Sequence, residues 1–219
     1  MKAMILAAGR GERMRPLTDS CPKPLLQVGE QKLIEYHIRN LVQAGIKQIV
    51  INHAYLGDQI EDYLGDGRRY DAEIFYSAED EALETGGGIF KALPLLGNEL
   101  FVLVNGDVWT DYDFSQLPSK IAGLAHLVMI SNPEHNINGD FSLENDLLTQ
   151  SEKNKLTYSG IGVYHPRLFK DCIAGKFPLA PLLKMAMNEK QITGEYYSGK
   201  WVDVGTPERL NELDKTLRS

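Results

Sequence analysis

The residues best able to do chemistry in this 219-residue chain lie near its start, in Gly9-Arg10-Gly11-Glu12-Arg13-Met14-Arg15-Pro16-Leu17-Thr18 and Pro22-Lys23-Pro24. They follow an apolar run, Met4 to Ala8. Glycine lets backbone N–H groups approach an anion closely, and guanidinium and ammonium groups neutralise its charge. An apolar strand running into this loop, with a proline-clamped lysine soon after, is built to hold phosphates. The plain alternative is a turn rich in surface charge.

Two better-known phosphate loops do not fit. A P-loop needs G-x-x-x-x-G-K-[ST], and no such order occurs here. A dinucleotide loop needs G-x-G-x-x-G, a helix opening at once, and an acid about 20 residues on. Here the third glycine position is Met14, and the second apolar strand ends in Asn52-His53. Pro16, Pro22 and Pro24 also oppose an immediate long helix.

Two aspartates stand out next. Phe101-Val102-Leu103-Val104-Asn105-Gly106-Asp107 reads as a buried strand delivering Asp107 at its carboxyl end, where ligands collect in open α/β sheets. Asp203, in Trp201-Val202-Asp203-Val204-Gly205-Thr206-Pro207, alternates with apolar residues. A charge there is expensive to bury unless paired or bound to a cation. Two aspartates converging on a triphosphate can hold Mg²⁺, with waters and phosphate oxygens completing the shell. Taken singly, Asp107 is also explained as a turn or capping residue, and Asp203 as an acid paired with a lysine.

The elements that must position these residues alternate. Strands are expected at Lys2–Ala8, Gln48–Asn52, Ala72–Ser77, Leu100–Asn105 and Ala125–Ser131, and helices at Leu33–Ala44, Leu56–Leu64 and Gly87–Leu93. This pattern predicts an α/β chain with a mainly parallel central sheet covered on both faces. His37, within the first helix, reads as a packing or surface residue rather than a ligand. Beyond residue 131 the style changes: a hairpin over Phe141–Thr149, a strand over Tyr158–His165, and helices over Pro181–Asn188 and Pro207–Arg218. Residues 1–131 are expected to form a nucleotide-binding core, and 132–219 a small sugar-binding lobe with the C-terminal helix, in one domain.

Composition narrows the partners. Net charge is −7 and hydrophobic residues make up 43%, so the chain can bury a full core, and a nucleic-acid surface is not expected. Cys21 and Cys172 have neither zinc nor redox spacing, and with no secretory or membrane-spanning run visible the expected location is the cytoplasm.

The N-terminal segment resembles the sugar-1-phosphate nucleotidyltransferase family, whose pattern is a strand, G-x-G-[STE]-R-x-x-P-x-T, then P-K-P. Glu12 stands where many relatives carry Ser or Thr, which requires its backbone N–H to bind while its side chain turns away. The family's x-G-D and W-x-D-[VI]-G-T segments match Asp107 and Asp203, and its L-G-T-[AG]-G-x segment matches Leu83 to Gly88, with Glu84 in place of a common glycine.

The resemblance implies a Rossmann-like, three-layer fold and Mg²⁺ held by Asp107 and Asp203. It implies nucleotide contacts from Leu6, Ala8, Gly9, Gly11, Glu12, Arg13, Lys23, Gly86 and Gly87, with Arg13 and Lys23 catalytic. The sugar side falls to Asn105, Asp140 and Glu152. Within the family, segments along almost the whole chain look most like the uridylyltransferases of cell-wall recycling, which use UTP and N-acetyl-α-muramate 1-phosphate. Another sugar 1-phosphate (glucose, mannose or N-acetylglucosamine) and a catalytically silent nucleotide-sugar sensor are the alternatives. The chain closes soon after its last helix, without room for a further β-helical domain, so a monomer is expected.

Overall fold

The computed structural model describes residues 1–218. Among them the strands are β1 (Lys2–Leu6), β2 (Gln27–Val28), β3 (Gln31–Lys32), β4 (Gln48–His53), β5 (Glu73–Ala78), β6 (Phe101–Asn105), β7 (Val108–Thr110), β8 (Ala125–Ile130), β9 (Phe141–Glu144), β10 (Leu147–Thr149), β11 (Lys155–Tyr164), β12 (Ile192–Tyr196) and β13 (Trp201–Asp203). The α-helices are α1 (Leu33–Gln43), α2 (Gly57–Leu64), α3 (Glu84–Leu96), α4 (Ala180–Asn188) and α5 (Pro207–Arg218).

One sheet runs in the order β5-β4-β1-β6-β11-β8-β12-β10-β9. Its β5-β4-β1-β6 half is parallel, because α1, α2 and α3 return the chain across the sheet between strands. Between Leu96 and Ala180 no α-helix intervenes, so β11 pairs antiparallel with both β6 and β8. Parallel pairing reappears where α4 precedes β12, beside β8. The parallel character expected from the sequence thus belongs to the half that carries the glycine-rich loop, within a sheet that is mixed as a whole. Because β11 is inserted between β6 and β8, residues on either side of 131 interleave in that sheet.

Alternation along the strands explains the layers. Ala3, Ile5, Ile49, Ile51, Val102 and Val104 face α1 and α2, against Ile34, Ile38, Leu41, Ile60 and Leu64. Met4, Val50, Phe101 and Leu103 face the other way, against Ile89, Ala92 and Leu96 of α3 and Leu183, Ala186 and Met187 of α4. Successive side chains point to opposite faces, so each strand serves both cores at once. A third apolar group joins Leu210 and Leu213 of α5 to Met14, Leu33, Trp109 and Val204, tying the C-terminus to the N-terminal loop.

Some elements differ from expectation. The third helix begins at Glu84, three residues early, so the glycine triplet lies in its first turns rather than in a preceding loop. The short β7–β13 pair was not foreseen as a ladder, since three residues per strand carry little periodicity. Among the described residues, no helix is long and apolar enough to cross a membrane.

Candidate active site

The carboxyl ends of β1, β4 and β6 open onto a cleft of about 480 Å³. Leu6, Ala8, Gly9, Gly11, Glu12, Arg13 and Lys23 all line it, with Asn105 and Asp107 from the end of β6. Gly11 makes the loop turn: its φ of +67° is left-handed, and a Cβ there would lie 3.1 Å from Thr18 and 3.3 Å from Lys23. Its carbonyl accepts from Thr18 Oγ1 at 2.8 Å and from Met14 N at 2.9 Å, folding the loop back on itself. Glu12 is exposed, and its carboxylate has no hydrogen-bond or ion-pair partner among the described residues.

The three arginines divide. Arg10 lies over the Tyr55 ring and Arg15 pairs with Asp19, which leaves Arg13 facing the cleft. Lys23 is buried to 7% exposure, and its ammonium donates to Asp107 Oδ2 at 2.9 Å. Gly106 N donates to Leu6 O at 2.9 Å, which ties the end of β6 to the end of β1 beside the loop.

Asp203 is brought alongside by β13, whose register places it opposite Val108, while Val204 N donates to Asp107 O at 2.9 Å. Its Oδ2 accepts from Arg209 Nη1 at 2.7 Å and lies 3.2 Å from His135 Nε2. Asp203 itself is not a lining residue; its neighbour Gly205 is, and a Cβ on Gly205 would sit 3.0 Å from Asp203 Oδ1 and 3.1 Å from Arg13 Nη2. Both aspartates therefore commit Oδ2 to protein cations, and neither Oδ1 accepts from a protein donor among the described residues. Two hard oxygens on adjoining backbone segments suit a divalent cation whose remaining ligands are water and substrate phosphate. No group of three His, Cys, Asp or Glu that could hold a metal ion by itself occurs among the described residues.

His37 supports this corner from below. Its Nε2 donates to Val108 O at 2.8 Å, its Nδ1 has no partner, and burial pushes its pKa down to about 4. It is a packing histidine, as the helical spacing indicated.

Gly86 and Gly87 do not line the cleft. A Cβ on Gly86 would meet the Phe177 ring at 2.5 Å, and one on Gly87 would meet Gly175 O at 2.3 Å. Gly87 N donates to Phe177 O at 3.0 Å. These glycines let the 175–177 segment pack on the start of α3. Glu84 and Thr85 line the cleft instead. Glu84 has φ +60°, the left-handed region that explains why a glycine suits this position.

Pro24 lines the cleft beside Lys23, and so do Asn52 and Ala82, which the sequence had not marked as site residues. Asn52 is 2% exposed; its Oδ1 accepts from Ala7 N at 3.0 Å and its Nδ2 donates to Glu79 Oε1 at 2.7 Å. Glu79 Oε2 accepts from Leu83 N at 2.9 Å, so one buried pair fixes both rims of the cleft. The signal was present: Asn52, like Asp107, is a polar residue at the carboxyl end of a strand.

A second cavity of about 470 Å³ adjoins the first and shares Thr85 and Asn105 with it. Asn105 reaches it over a bulge in β11, where Gly160 has φ +81° and a Cβ would lie 2.5 Å from Asn105 Nδ2. Asp140 lines this cavity, with its oxygens accepting from Tyr158 N at 2.8 Å and Asn136 Nδ2 at 3.2 Å. Glu152 does not line it: the side chain is 85% exposed and pairs with Lys155, which does.

A family model described as nucleotidyl transferase matches residues 2–139. The chain is 53% identical to the N-acetylmuramate alpha-1-phosphate uridylyltransferase of Neisseria meningitidis, over 97% of this chain and 96% of that one. It is 32% identical to the Caulobacter vibrioides protein of the same name, over 94% and 92% of the two chains. In three dimensions it matches a Bacillus anthracis protein, described as a candidate glucose-1-phosphate thymidylyltransferase and solved with sucrose. The TM-score is 0.88, with 100% of this chain and 96% of that one covered; at 24% identity the likeness speaks to the fold alone.

Proposed function

The chain belongs to the nucleotidyl transferase family, and from that premise we propose that it transfers a uridylyl group from UTP to N-acetyl-α-muramate 1-phosphate. The products are UDP-N-acetylmuramate and pyrophosphate, and the setting is cell-wall recycling. The observation that carries this reading is 53% identity, over nearly the full length of both chains, to a uridylyltransferase of that specificity.

In the proposed reaction the sugar phosphate attacks the α-phosphorus of UTP in line, and pyrophosphate leaves from the opposite side. The nucleophile is already an anion, so the protein needs no general base; its work is alignment and charge neutralisation. Lys23 lies by the α-phosphate, where charge shifts during transfer, and Arg13 holds the departing β- and γ-phosphates. The N–H groups of the Gly9–Glu12 loop cradle the triphosphate while the Glu12 carboxylate stays in solvent. Asp107 and Asp203 would hold Mg²⁺, which would supply neutralisation of the phosphate charge. The base side of the cleft is formed by Asn52, Glu84 and Thr85, and Gly86 and Gly87 act on it through the packing of α3. Asn105 and Asp140 serve the sugar in the second cavity. Residues 1–131 supply most of the nucleotide side and residues 132–218 most of the sugar side of one unit, with Asp203 and Gly205 crossing to the nucleotide side, and the protein acts as a monomer in the cytoplasm.

The test is pyrophosphate release with Mg²⁺ and each NTP against a panel of sugar 1-phosphates. Release with UTP and N-acetylmuramate 1-phosphate, above all other pairs, is the expected result. No release with any pair, or preference for a sugar lacking the lactyl group, overturns the reading.

A further inference from the structure

We propose that Lys184, assisted by Lys155, recognises the lactyl carboxylate of the muramic sugar in the second cavity. This rests on the function just given and names the groups that choose the sugar. The two cavities meet at Thr85 and Asn105, so the sugar's 1-phosphate lies at that junction and its remaining substituents extend towards the walls peculiar to the second cavity. Lys155, from the start of β11, and Lys184, from α4, line those walls and not the nucleotide cleft.

Lys155 and Lys184 outnumber the one acid in this lining, Asp140, on a chain whose net charge is −7. Lys23 attends the α-phosphate in the other cleft, where the 1-phosphate attacks, so cations on the far walls of the second cavity answer to a second negative group on the sugar. A lactyl ether supplies one; N-acetylglucosamine has none. The acid lining the cavity, Asp140, accepts from Tyr158 N and Asn136 Nδ2 and forms no ion pair with either lysine among the described residues. Lys184 forms no ion pair among the described residues. It lies in α4, whose first residue, Ala180, also lines the cavity, and a helix N-terminus favours an anion there.

Lys155 shows what such an anion does. Its ammonium holds Glu152 Oε2 at 2.7 Å, a carboxylate 85% exposed to water. Ion pairs to so exposed a partner are weak, so a substrate carboxylate held within the cavity can displace it.

The test compares kcat/KM for N-acetylmuramate 1-phosphate, its lactyl methyl ester and N-acetylglucosamine 1-phosphate, in the wild type, Lys184→Ala, Lys155→Ala and Glu152→Gln. Lys184→Ala should lower kcat/KM for the free acid by roughly 10- to 100-fold, through KM, as expected for a lost charge-assisted hydrogen bond. The loss on the ester and on the unlactylated sugar should be at least about tenfold smaller. Glu152→Gln should lower KM for the free acid alone, by releasing Lys155. Equal losses on all three substrates, or an unchanged free-acid rate in both lysine variants, overturn the lysine assignment while the function stands. A wild type that ignores N-acetylmuramate 1-phosphate but uses another sugar overturns both.

Discussion

Lys23 Nζ stands 2.9 Å from Asp107 Oδ2, across 84 positions of sequence. The lysine side chain is 8% exposed and the aspartate 44%, so the charge pair lies at the floor of the cleft with its acidic half open to ligand. An ammonium buried and paired in this way is held at a fixed point in the cleft.

Lys23→Ala and Asp107→Ala should each reduce the turnover rate on the order of 10²–10³-fold, the usual cost of one preorganised electrostatic partner. Circular dichroism should show the wild-type fold in both. If Asp107→Ala keeps more than about a tenth of the wild-type rate, its assignment to the metal is wrong.

Asp203 has one oxygen held by Arg209 and His135 and the other uncommitted. Chelation should abolish pyrophosphate release, and added Mg²⁺ should restore it. Asp203→Ala should raise the Mg²⁺ concentration for half activation, on the order of tenfold or more, whereas Arg209→Ala should raise it less, because the donor oxygen survives. An unchanged Mg²⁺ dependence in Asp203→Ala would remove it from the metal shell.

At the start of α3 two substitutions should move stability in opposite directions. Gly87→Ala forces a Cβ to within 2.3 Å of Gly175 O and should destabilise by about 1–3 kcal/mol. Glu84→Gly relieves a left-handed φ of +60° and should stabilise by about 1 kcal/mol. Urea unfolding measures both. A Gly87→Ala variant of wild-type stability but raised KM for UTP would mean that the glycine faces nucleotide, not Gly175.

His37 gives a pH signature. Burial holds its folded pKa at about 4, below the ordinary 6.5, so the unfolded chain binds a proton that the folded one refuses. Its contribution is complete above about pH 6.5, falls as pH drops towards 4, and levels off below; the total is about 3 kcal/mol. His37→Gln should lose less stability than the wild type between pH 7 and pH 4.5 in urea titrations. Equal slopes would show that the histidine is not buried neutral.

The phosphate loop and both aspartates were legible because their chemistry is local: glycine next to arginine, or a carboxylate ending an apolar strand, means the same thing in any fold. The hairpin at Asn145-Asp146 was legible for the same reason, since both residues take positive φ there. Where Glu152 and Lys184 stand relative to the second cavity was not legible, because it depends on which elements meet. One lies outside the cavity holding Lys155, and the other is one of several lysines until α4 sets it in the wall. Gly86 and Gly87 looked like a ligand platform because a close approach by protein and one by nucleotide ask for the same residue.

By itself the sequence determined the chemistry available here: a polyanion loop on an acidic chain, a proline-clamped lysine, and two carboxylates at strand ends. Tertiary structure decided who meets whom: Asn52 with Glu79, Arg209 and His135 with Asp203, and two lysines around one cavity. The reason is range. Backbone preference and side-chain type act over a few residues, whereas a charge pair or a cavity wall is set by sheet order and helix packing, which bring positions 23 and 107, or 155 and 184, together only once the chain is folded.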